Sequence, residues 1–219
     1  MTISDIKFTR KNEVEGIDEY DLPDVWLFTD FSDFGLRKLI WIPQEKVLVL
    51  GQSNELEESV IIDSAKTDGI RIVRRPTGGE SVLISPETVI VSILFTKVTG
   101  IQSKKIFHIM GSRIQGALED MGVENIHFKG ISDLAIGNSK ILGSAIYRNP
   151  ELLFYHAVLN VGEDPHTLAR YLHHPRIEPD YREGRKHEEF VTSLKKEGFA
   201  FSVQEVRDRL EDFLQESFI

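Results

Sequence analysis

An unbroken apolar run near the middle of the chain limits the folds open to it. Residues 88–95 read TVIVSILF, and apolar and polar side chains do not alternate along them. Strands that are covered on both faces carry continuous apolar runs of this kind. The run therefore predicts a central strand of a sheet.

A helical stripe follows this run. From Ser103 onward, apolar side chains recur every three or four residues until Gly122. That spacing places them on one face of a helix, which predicts a helix packed against the core rather than a binding surface. The stripe comprises Ile106, Ile109, Met110, Ile114, Ala117, Leu118 and Met121.

Short strand and helix patterns fill the rest of the chain. Two apolar runs, residues 39–42 and 46–50, are separated by a Pro-Gln-Glu turn and predict a hairpin. Residues 55–68 predict one helix that ends before Gly69. A capping box at residues 202–205 predicts the start of a final helix. Interleaved elements of both kinds indicate an α/β (α+β) chain. Further strands are predicted at residues 71–75, within 131–148 and at 152–161, and a short helix at 165–171.

Composition excludes several classes of protein. The chain has 219 residues, of which 41% are hydrophobic, and this is enough for one sizeable core. Its net charge of −9 opposes general binding to nucleic acid, whose phosphates select a basic surface. It has no apolar run of about twenty residues and no charged-then-apolar leader, so we expect a cytoplasmic protein with no membrane partner.

The acidic residues are unevenly placed, and cysteine is missing altogether. Residues 1–35 hold nine acidic and three basic side chains. A solvated surface segment is the simpler interpretation, and a surface that steers partner choice is the alternative. The chain has 0 Cys, which excludes a disulfide framework and a cysteine-based zinc site.

Residues 74–82, RRPTGGESV, form a basic segment that contains two glycines. Gly78 and Gly79 lack side chains, so their backbone N–H groups can approach an anion closely. Arg74 and Arg75 add two positive charges beside them. A Gly-Gly pair after Pro-Thr is in most proteins only a turn between strands, so this segment alone is weak support for a phosphate or carboxylate site.

A second motif, GNSKILGSA at residues 137–145, places Lys140 in a polar turn before a run of small residues. A lone lysine in such a turn is usually solvated. Together with the basic segment, the motif predicts a site that holds an activated carboxylic acid on a nucleotide phosphate. The chain has no G-x-x-x-x-G-K-[ST] loop, the usual alternative for binding phosphate.

Four segments of the chain resemble the biotin/lipoate protein ligase and octanoyltransferase superfamily, and within it the lipoate-protein ligase A-like branch. The resemblance runs from about residue 39 to residue 194, with the order of the motifs preserved. The lysine motif is similar to the lipoate branch rather than to the biotin ligases. The segments are VRRPTGGESV at 73–82, SDLAIGNSKILGSAIYR at 132–148, FYHAVLN at 154–160 and PDYREGRKHEEFVTSL at 179–194.

The resemblance implies a fold and a reaction. The fold is a single class II aminoacyl-tRNA synthetase/biotin-ligase-like catalytic domain over residues 1–219, with a mixed, largely antiparallel sheet flanked by helices and no separate C-terminal accessory domain. In the reaction, lipoate or octanoate is activated by ATP with Mg²⁺ to an acyl-adenylate. A lysine of a lipoyl-accepting domain or of a glycine-cleavage H-type carrier protein then displaces AMP. A separate accessory chain is left open as a further partner, and no set of metal ligands is identified.

The resemblance also implies roles for individual residues. Lys140 is the catalytic residue, and it binds the nucleotide because it contacts both carboxyl and phosphoryl oxygens. Asp133 and Arg148 are the other nucleotide-binding candidates, with an exposed strand carboxylate and a surface ion pair as the alternatives. His156 is a substrate-binding candidate, although a histidine among apolar neighbours is more often a packing residue. The remaining substrate-binding candidates are Arg74, Arg75, Thr77, Gly78, Gly79, Ser81, Val82, Gly143, Ser144 and Ala145.

The chain departs from the family pattern at three places. Glu80 stands where the family has a third glycine, and it adds a side chain and a negative charge where an anion should approach. Ala157 replaces a glycine that follows the histidine. The further C-terminal module of two-domain ligases is expected to be absent. These departures make a noncatalytic or transfer-only homologue, which binds lipoyl-AMP or the acyl ligand without activating it, the alternative function.

Two further expectations concern mechanism. Octanoyltransferases of the superfamily carry the acyl group on a cysteine, and a chain with 0 Cys lacks that thiol. Residues 175–187 are rich in charge and are expected to form a mobile lid over the site, with a simple surface crossing as the alternative.

Overall fold

The computed structural model describes residues 16–29, 35–96 and 100–214. Within them the larger of two sheets is formed by β1 (Leu36–Trp41), β5 (Thr88–Thr96), β6 (Ile126–Lys129), β7 (Asp133–Ile136), β8 (Ser139–Arg148) and β9 (Leu152–Asn160). The strand order of this six-stranded sheet is β1-β5-β9-β8-β7-β6, and every neighbouring pair is antiparallel. Strand β5 is therefore paired on both sides, which confirms the prediction of a central strand.

The smaller sheet contains β2 (Val47–Leu50), β3 (Arg71–Arg74) and β4 (Val82–Ile84) in the order β3-β2-β4. Strand β2 is parallel to β3 and antiparallel to β4. The described strands are thus mixed and largely antiparallel, as predicted.

Six α-helices and two 3₁₀ helices occur in the described part of the chain. The helices α1 (Leu56–Ser59), α2 (Ile62–Thr67) and α4 (Pro165–Tyr171) are short, and so is α5 (His187–Phe190). The longer ones are α3 (Ser103–Asp120) and α6 (Val203–Phe213), and the 3₁₀ helices span Pro23–Phe28 and Asp180–Arg182.

Apolar clusters stack these elements into four layers. Helices α3 and α6 pack on one face of the larger sheet and form the largest core. On the other face, Trp41 and Ile90 pack against Val47 and Val49 of the smaller sheet. The outer face of the smaller sheet is covered by α1, α2 and α4. The larger sheet is therefore covered on both faces, by helices on one and by the second sheet on the other.

Local patterns predicted the long helices well. Of the stripe on α3, Ile106, Met110 and Ile114 are buried with Ala117 and Leu118, and α3 begins at Ser103 as expected. The capping box of α6 is present, because Ser202 Oγ accepts from the Glu205 backbone N–H and the Glu205 carboxylate accepts from the Ser202 backbone N–H. Both helices therefore follow from sequence spacing and capping alone.

The predicted hairpin between residues 39–42 and 46–50 is wrong. Strand β1 pairs with β5 in the larger sheet, whereas β2 pairs with β3 and β4 in the smaller one. The intervening residues carry the chain from one sheet to the other. Short apolar runs indicate strands, but they do not encode which strand each one pairs with.

The single helix predicted at residues 55–68 is instead two helices, α1 and α2. Val60 between them is extended, and it forms an antiparallel bridge with Leu172. The Ile61 N–H donates to the Tyr171 carbonyl at 2.9 Å. Consecutive β-branched residues at 60–62 favour this extended backbone, so the break has both a local and a tertiary cause. Gly69 follows the second helix with a φ of +64°, as expected of a helix end.

The acidic segment at residues 1–35 is only partly described, since residues 1–15 and 30–34 lie outside the described ranges. Asp18 and Asp21 are exposed and form ion pairs with Arg71, as the solvated interpretation predicts. For Asp24 that interpretation is wrong, because its side chain is buried at 1% exposure. The carboxylate of Asp24 belongs to a polar cluster beneath the candidate site.

Candidate active site

The candidate site lies on the face of the larger sheet that the smaller sheet covers. Side chains alternate along β9, and Leu153, Tyr155, Ala157 and Leu159 join the helix-covered core. His156 points to the opposite face, and cross-strand pairing places Ser92 and Ala145 in the same row.

The next row on this face contains the small residue Gly143. Val158 of β9 is paired with Gly143 of β8, which in turn is paired with Asp133 of β7. Val158 is half-buried, whereas every other residue of β9 is buried, so the sheet is open at this point. Gly143 and Ala145 carry no bulky side chain, and these two rows are called the cleft floor because the basic loop, residues 74–82, faces them from the smaller sheet.

Lys140 lies over this floor. It is the second residue of β8, rather than part of the turn that the sequence predicted, and that turn is centred on Gly137 with a φ of +57°. A Cβ added to Gly143 would lie 2.6 Å from Lys140 Nζ, so the absence of a side chain at position 143 makes room for the lysine. The Lys140 ammonium is therefore held above the cleft floor by the local shape of β8.

Lys140 is paired with a buried carboxylate. Its Nζ lies 2.9 Å from Asp133 Oδ1, and the side chains of Lys140 and Asp133 are 29% and 8% exposed. The Tyr181 hydroxyl donates to the other oxygen, Asp133 Oδ2, at 2.9 Å. The prediction of an exposed strand carboxylate, one of the two interpretations of Asp133, is thus wrong. The ammonium is therefore the more exposed member of the pair, and the carboxylate is the buried one.

The basic loop, defined as residues 74–82, approaches the same floor from the smaller sheet. A Cβ on Gly79 would lie 3.8 Å from the Ala145 Cβ, and Gly79 has a φ of +87°, which glycine adopts without strain. A Cβ on Gly78 would meet no atom within 4 Å. Since Gly143 and Ala145 are two positions apart on one strand, the loop and Lys140 lie on the same sheet face.

The two arginines shape the basic loop from within. Both are buried. Arg75 donates to the carbonyls of Gly78 and Glu80 at 2.8 Å each, and to Thr77 Oγ1 at 2.8 Å. Arg74 Nη1 donates to the Gly51 and Asn54 carbonyls at 3.0 and 2.7 Å. Burial lowers the pKa of Arg75 to about 10, which still leaves it charged at neutral pH. Their positive charge is therefore fixed beside the loop, with much of their donor capacity given to carbonyl groups.

His156 connects the sheet to the loop. Its Nε2 shares a hydrogen bond of 2.7 Å with the Thr77 hydroxyl, and both residues are buried. Burial, followed by the charge of Arg75, lowers the pKa of His156 well below its usual value. The imidazole is therefore neutral, and its observed role is to fix the loop to β9.

A second polar cluster lies beneath this contact. The Tyr20 hydroxyl donates to Asp24 Oδ1 at 3.0 Å, and the Ser92 hydroxyl donates to Asp24 Oδ2 at 2.8 Å. Burial raises the pKa of Asp24 to about 6. Sequence reasoning missed this cluster: the signal was a single serine inside the apolar run 88–95, and nothing marks Asp24 among its acidic neighbours.

The other candidates occupy different positions. Ser81 Oγ donates to Asn54 Oδ1 at 3.1 Å, and Val82 packs between the two sheets. Ser144 donates to the Ser132 carbonyl at 2.8 Å, and its pairing with Ala157 places it on the helix-covered side. Arg148 lies about 25 Å along β8 from Lys140 at the usual rise per residue, and donates to the Ile101 carbonyl. Ser81 and Val82 thus anchor the end of the basic loop, whereas the Ser144 and Arg148 side chains lie away from the cleft floor.

Glu80 points away from the loop amides. Its Oε1 accepts from the Ile177 N–H at 3.3 Å, and its own carbonyl accepts from Arg75. The negative charge at this position is therefore directed outward, toward the segment at residues 175–192.

That segment, called the strap, spans residues 175–192 and covers the hairpin that carries Lys140. Arg185 Nη2 donates to the Asn138 carbonyl at 3.1 Å, and the Thr192 N–H donates to the Lys140 carbonyl at 2.9 Å. Arg182 is buried, with its guanidinium 4.7 Å from the centre of the Phe190 ring. Residues 175–187, which the sequence indicated as a lid, are thus packed against one side of the site.

Two kinds of feature are absent from the part of the chain that the structure describes. No helix in that part combines the length and the apolarity that crossing a membrane requires. No group of three or more His, Cys, Asp or Glu side chains in the described ranges is placed to hold a metal ion.

Comparisons with curated proteins give relatives at low identity. The chain is 28% identical over 148 residues to a probable lipoate-protein ligase A of Mycoplasma genitalium, covering 67% of this chain and 44% of that protein. It is 28% identical over 165 residues to the octanoyltransferase LipM of Carboxydothermus hydrogenoformans, covering 67% of this chain and 60% of that protein. The chain thus spans about half the length of the curated relatives it matches.

Solved structures support the fold. The bi-partite lipoate protein ligase of Thermoplasma acidophilum, studied with its E2 lipoyl domain, matches with a TM-score of 0.70 at 21% identity, over 81% of this chain and 69% of that one. A lipoate-protein ligase A bound with ATP matches with a TM-score of 0.70 at 21% identity, over 82% of this chain and 73% of that one. At such identities the likeness establishes the architecture alone.

The family model described as the lipoyl protein ligase A/B catalytic domain matches residues 24–215. This range includes the basic loop, Lys140, His156 and the strap. It covers most of the chain, and the chain therefore belongs to the lipoyl protein ligase A/B catalytic domain family.

Proposed function

We propose that this protein is a lipoate- or octanoate-protein ligase that activates the acid with ATP and transfers it to a lysine of a lipoyl-accepting domain. One observation carries the proposal: the Lys140 ammonium lies over position 143, and Gly79 of the basic loop lies over position 145 of the same strand. An anion in the cleft would meet a positive charge on one side and closely approachable backbone on the other. Relatives named lipoate-protein ligase support the choice of acid.

In the activation step, a carboxylate oxygen of the acid forms a bond to the α-phosphorus of ATP. The bond from that phosphorus to its bridging oxygen breaks, and pyrophosphate leaves with the electron pair. Negative charge builds on the α-phosphoryl oxygens as the two anions meet. A preorganised ammonium such as Lys140 stabilises this charge without reorganising, and losing one such donor costs about 10²- to 10³-fold in rate.

In the transfer step, the amine of an acceptor lysine attacks the carbonyl carbon of the acyl-adenylate. The carbon–oxygen bond to AMP breaks, an amide forms, and the amine loses a proton to solvent. The bi-partite lipoate protein ligase of Thermoplasma acidophilum was studied with its E2 lipoyl domain, and this supports a lipoyl-accepting domain as the partner. A glycine-cleavage H-type carrier protein presents the same lysine chemistry, and a separate accessory chain belongs to the proposal as a further partner.

ATP and Mg²⁺ fit the residues present in different ways. A ligase of the same architecture is known bound with ATP, which supports ATP as the co-substrate. The described residues offer no cage of several metal ligands. Mg²⁺ is commonly held by nucleotide phosphates together with one or two carboxylates, so it would enter with ATP. The two oxygens of Asp133, the carboxylate beside Lys140, are already paired with Lys140 and Tyr181. When bound, the ion would neutralise phosphate charge.

The remaining residues of this proposal hold the site in shape. Gly79, Gly143 and Ala145 face one another across the site, Gly78 adjoins Gly79 in the loop, and Thr77 and His156 fix the loop to β9. Arg74 and Arg75 fold the loop through carbonyl contacts. The side chains of Ser144 and Arg148 are not part of the proposed machinery, because they lie away from the cleft floor.

A transfer-only homologue is the second candidate function. The residue that motivates it is Glu80, which adds a side chain and a negative charge to the basic loop while its carboxylate is directed outward. Such a protein would accept lipoyl-AMP and would not make it. Transfer through an acyl-cysteine, as in octanoyltransferases, is disfavoured because the chain has 0 Cys.

Pyrophosphate exchange into ATP tests the activation step. Wild-type protein should exchange label in the presence of lipoate or octanoate and not with biotin, and Lys140→Ala should reduce the rate by about 10²- to 10³-fold. Lys105→Ala removes an exposed cation of α3, on the opposite face of the sheet, and as the control it should leave the rate unchanged. Exchange at the wild-type rate in Lys140→Ala would remove the lysine from the mechanism.

The two candidate functions are separated by a second assay. Synthetic lipoyl-AMP and a purified lipoyl domain are supplied without ATP, and the modified domain is detected by mass. Transfer from lipoyl-AMP together with acid-dependent exchange supports the ligase. Transfer without any exchange supports the transfer-only homologue.

A further inference from the structure

We propose that Tyr181 is a positioning residue that holds Lys140 in its working orientation by way of Asp133, an inference that rests on the proposed ligase function. Three groups form a chain from the strap to the cleft. The Tyr181 hydroxyl donates to Asp133 Oδ2 at 2.9 Å, and Lys140 Nζ lies 2.9 Å from Asp133 Oδ1. Each oxygen of one buried carboxylate therefore has its own donor.

Asp133 is fixed both at its carboxylate and at its backbone. The Asp133 side chain is 8% exposed, and its main chain is paired with Gly143, the residue over which Lys140 lies. A carboxylate with a single donor can rotate about its terminal bond, whereas one with a donor on each oxygen is held in one plane. The hydroxyl of Tyr181 thus sets the position of the oxygen that Lys140 contacts.

The tyrosine remains a donor under working conditions. Burial, and next the charge of Asp133, raise the pKa of Tyr181 well above its usual value. Its proton is therefore retained at neutral pH, and the hydroxyl continues to donate to the carboxylate.

Tyr181 itself is held by the strap. Its ring packs on the Phe190 ring with centroids 5.0 Å apart, and its carbonyl accepts from Arg185 Nη2 at 2.7 Å. Arg185 also donates to the Asn138 carbonyl at the turn before Lys140, and the Thr192 N–H donates to the Lys140 carbonyl. The strap therefore contacts the lysine hairpin at its turn, at its backbone and at its side-chain partner.

This arrangement gives the strap a role beyond covering the site. A lysine that must offset charge in a transition state has to lie at a fixed point, because misplacement by about 1 Å can cost about 10²-fold in rate. Lys140 has a long, flexible stem and cannot supply that precision alone. The strap supplies it through Tyr181 only when it is packed as observed.

The test is Tyr181→Phe, which removes the hydroxyl and keeps the ring on Phe190. The matched control is Tyr171→Phe, which also loses a tyrosine–aspartate hydrogen bond, at 2.6 Å to Asp68, in a distant ion pair with Arg170. We expect Tyr181→Phe to lower kcat of lipoate-dependent exchange about 10-fold with KM for lipoate within about 2-fold, and Tyr171→Phe to change neither. If both hydroxyls served stability alone, each variant would lose activity only in proportion to its loss of folded protein.

Crystal structures of Tyr181→Phe and wild-type protein separate this inference from the proposed function. The inference predicts that Asp133 rotates and that Lys140 Nζ leaves its contact with Oδ1, whether or not the protein activates lipoate. An unchanged Asp133–Lys140 contact overturns the inference, and so does an unchanged kcat in an active enzyme. Wild-type protein without any exchange activity would count against the ligase proposal alone, and the rotation of Asp133 would still decide the role of Tyr181.

Discussion

The two faces of the six-stranded sheet are built from the same strands but carry different side chains. The face under α3 and α6 is an apolar core that includes Leu153, Tyr155 and Leu159 of β9. The face under the smaller sheet carries Ser92, His156 and the small residues of β8, and it contacts the basic loop. Alternation along each strand thus assigns stability to one face and the candidate chemistry to the other.

The difference shows what the helix-covered face contributes. It requires only that apolar side chains of suitable volume fill the space between the sheet and the helices. The other face has to leave space, hold charge and keep polar groups paired. Substitutions on the first face should therefore change the free energy of unfolding at every pH, and substitutions on the second should change activity or the dependence of stability on pH.

The largest expected effect is on the helix-covered face. Leu153→Ala removes a fully buried side chain and should lower the free energy of unfolding by about 2–5 kcal/mol, measured by urea denaturation. The folded fraction should keep its exchange activity. The matched change on the site face, Val158→Ala at a half-buried position, should cost less stability and should alter KM for the acid. Equal losses of stability in the two variants would show that the two faces do not differ in their contribution to folding.

A pH effect of comparable size should arise on the site face. The pKa of Asp24 is raised from 3.8 to about 6, so the folded state favours its protonated form. Its contribution to stability is fully present below pH 3.8 and is lost as pH rises through about 6, which amounts to about 3 kcal/mol at 1.36 kcal/mol per pKa unit.

Asp24→Asn removes this titration. The difference in unfolding free energy between wild type and variant should therefore change by most of that amount, about 2.4 kcal/mol, between pH 4 and pH 7, measured by denaturation at each pH. His156 has a pH dependence of the opposite sign, because burial lowers its pKa. The stability that it contributes is lost as pH falls below about 6.5, but both proteins contain His156, so this effect cancels in the difference. A difference that is flat with pH would show that Asp24 is ionised in the folded state.

The smallest expected effect follows from one added methyl group. Gly143→Ala would place a Cβ 2.6 Å from Lys140 Nζ, the far end of a flexible side chain that can move. Stability should change little, while displacement of the ammonium should lower the exchange rate about 10-fold, equivalent to about 1.4 kcal/mol. Gly137→Ala is no control for this test, because its positive φ adds strain of its own. Unchanged exchange in Gly143→Ala would show that the lysine works from another position.

Local patterns in the sequence predicted the elements of the fold better than their pairing. The stripe on α3 and the capping box of α6 depend on residues within one or two turns, and both predictions were confirmed. The hairpin prediction failed because β1 and β2 find partners in different sheets, and no feature near residue 43 encodes that choice.

The site was predicted in the same uneven way. Glycines and Lys140 stand out by residue type, and the family pattern places them in order along the chain. Tyr181 lies inside a segment that the resemblance already included, but its contact with Asp133 spans 48 positions and is visible only in three dimensions. Asp24 could not be distinguished from its solvated neighbours, because burial depends on Ser92 and Tyr20 rather than on any adjacent residue.

The site can be located by a crystal structure of the protein soaked with lipoyl-AMP. We expect the mixed anhydride to lie between Lys140 Nζ and the backbone of Gly78 and Gly79, with the acyl chain over Gly143, Ala145 and Val158. Ligand density elsewhere on the protein, or an adenylate phosphate without contact to Lys140, would contradict it.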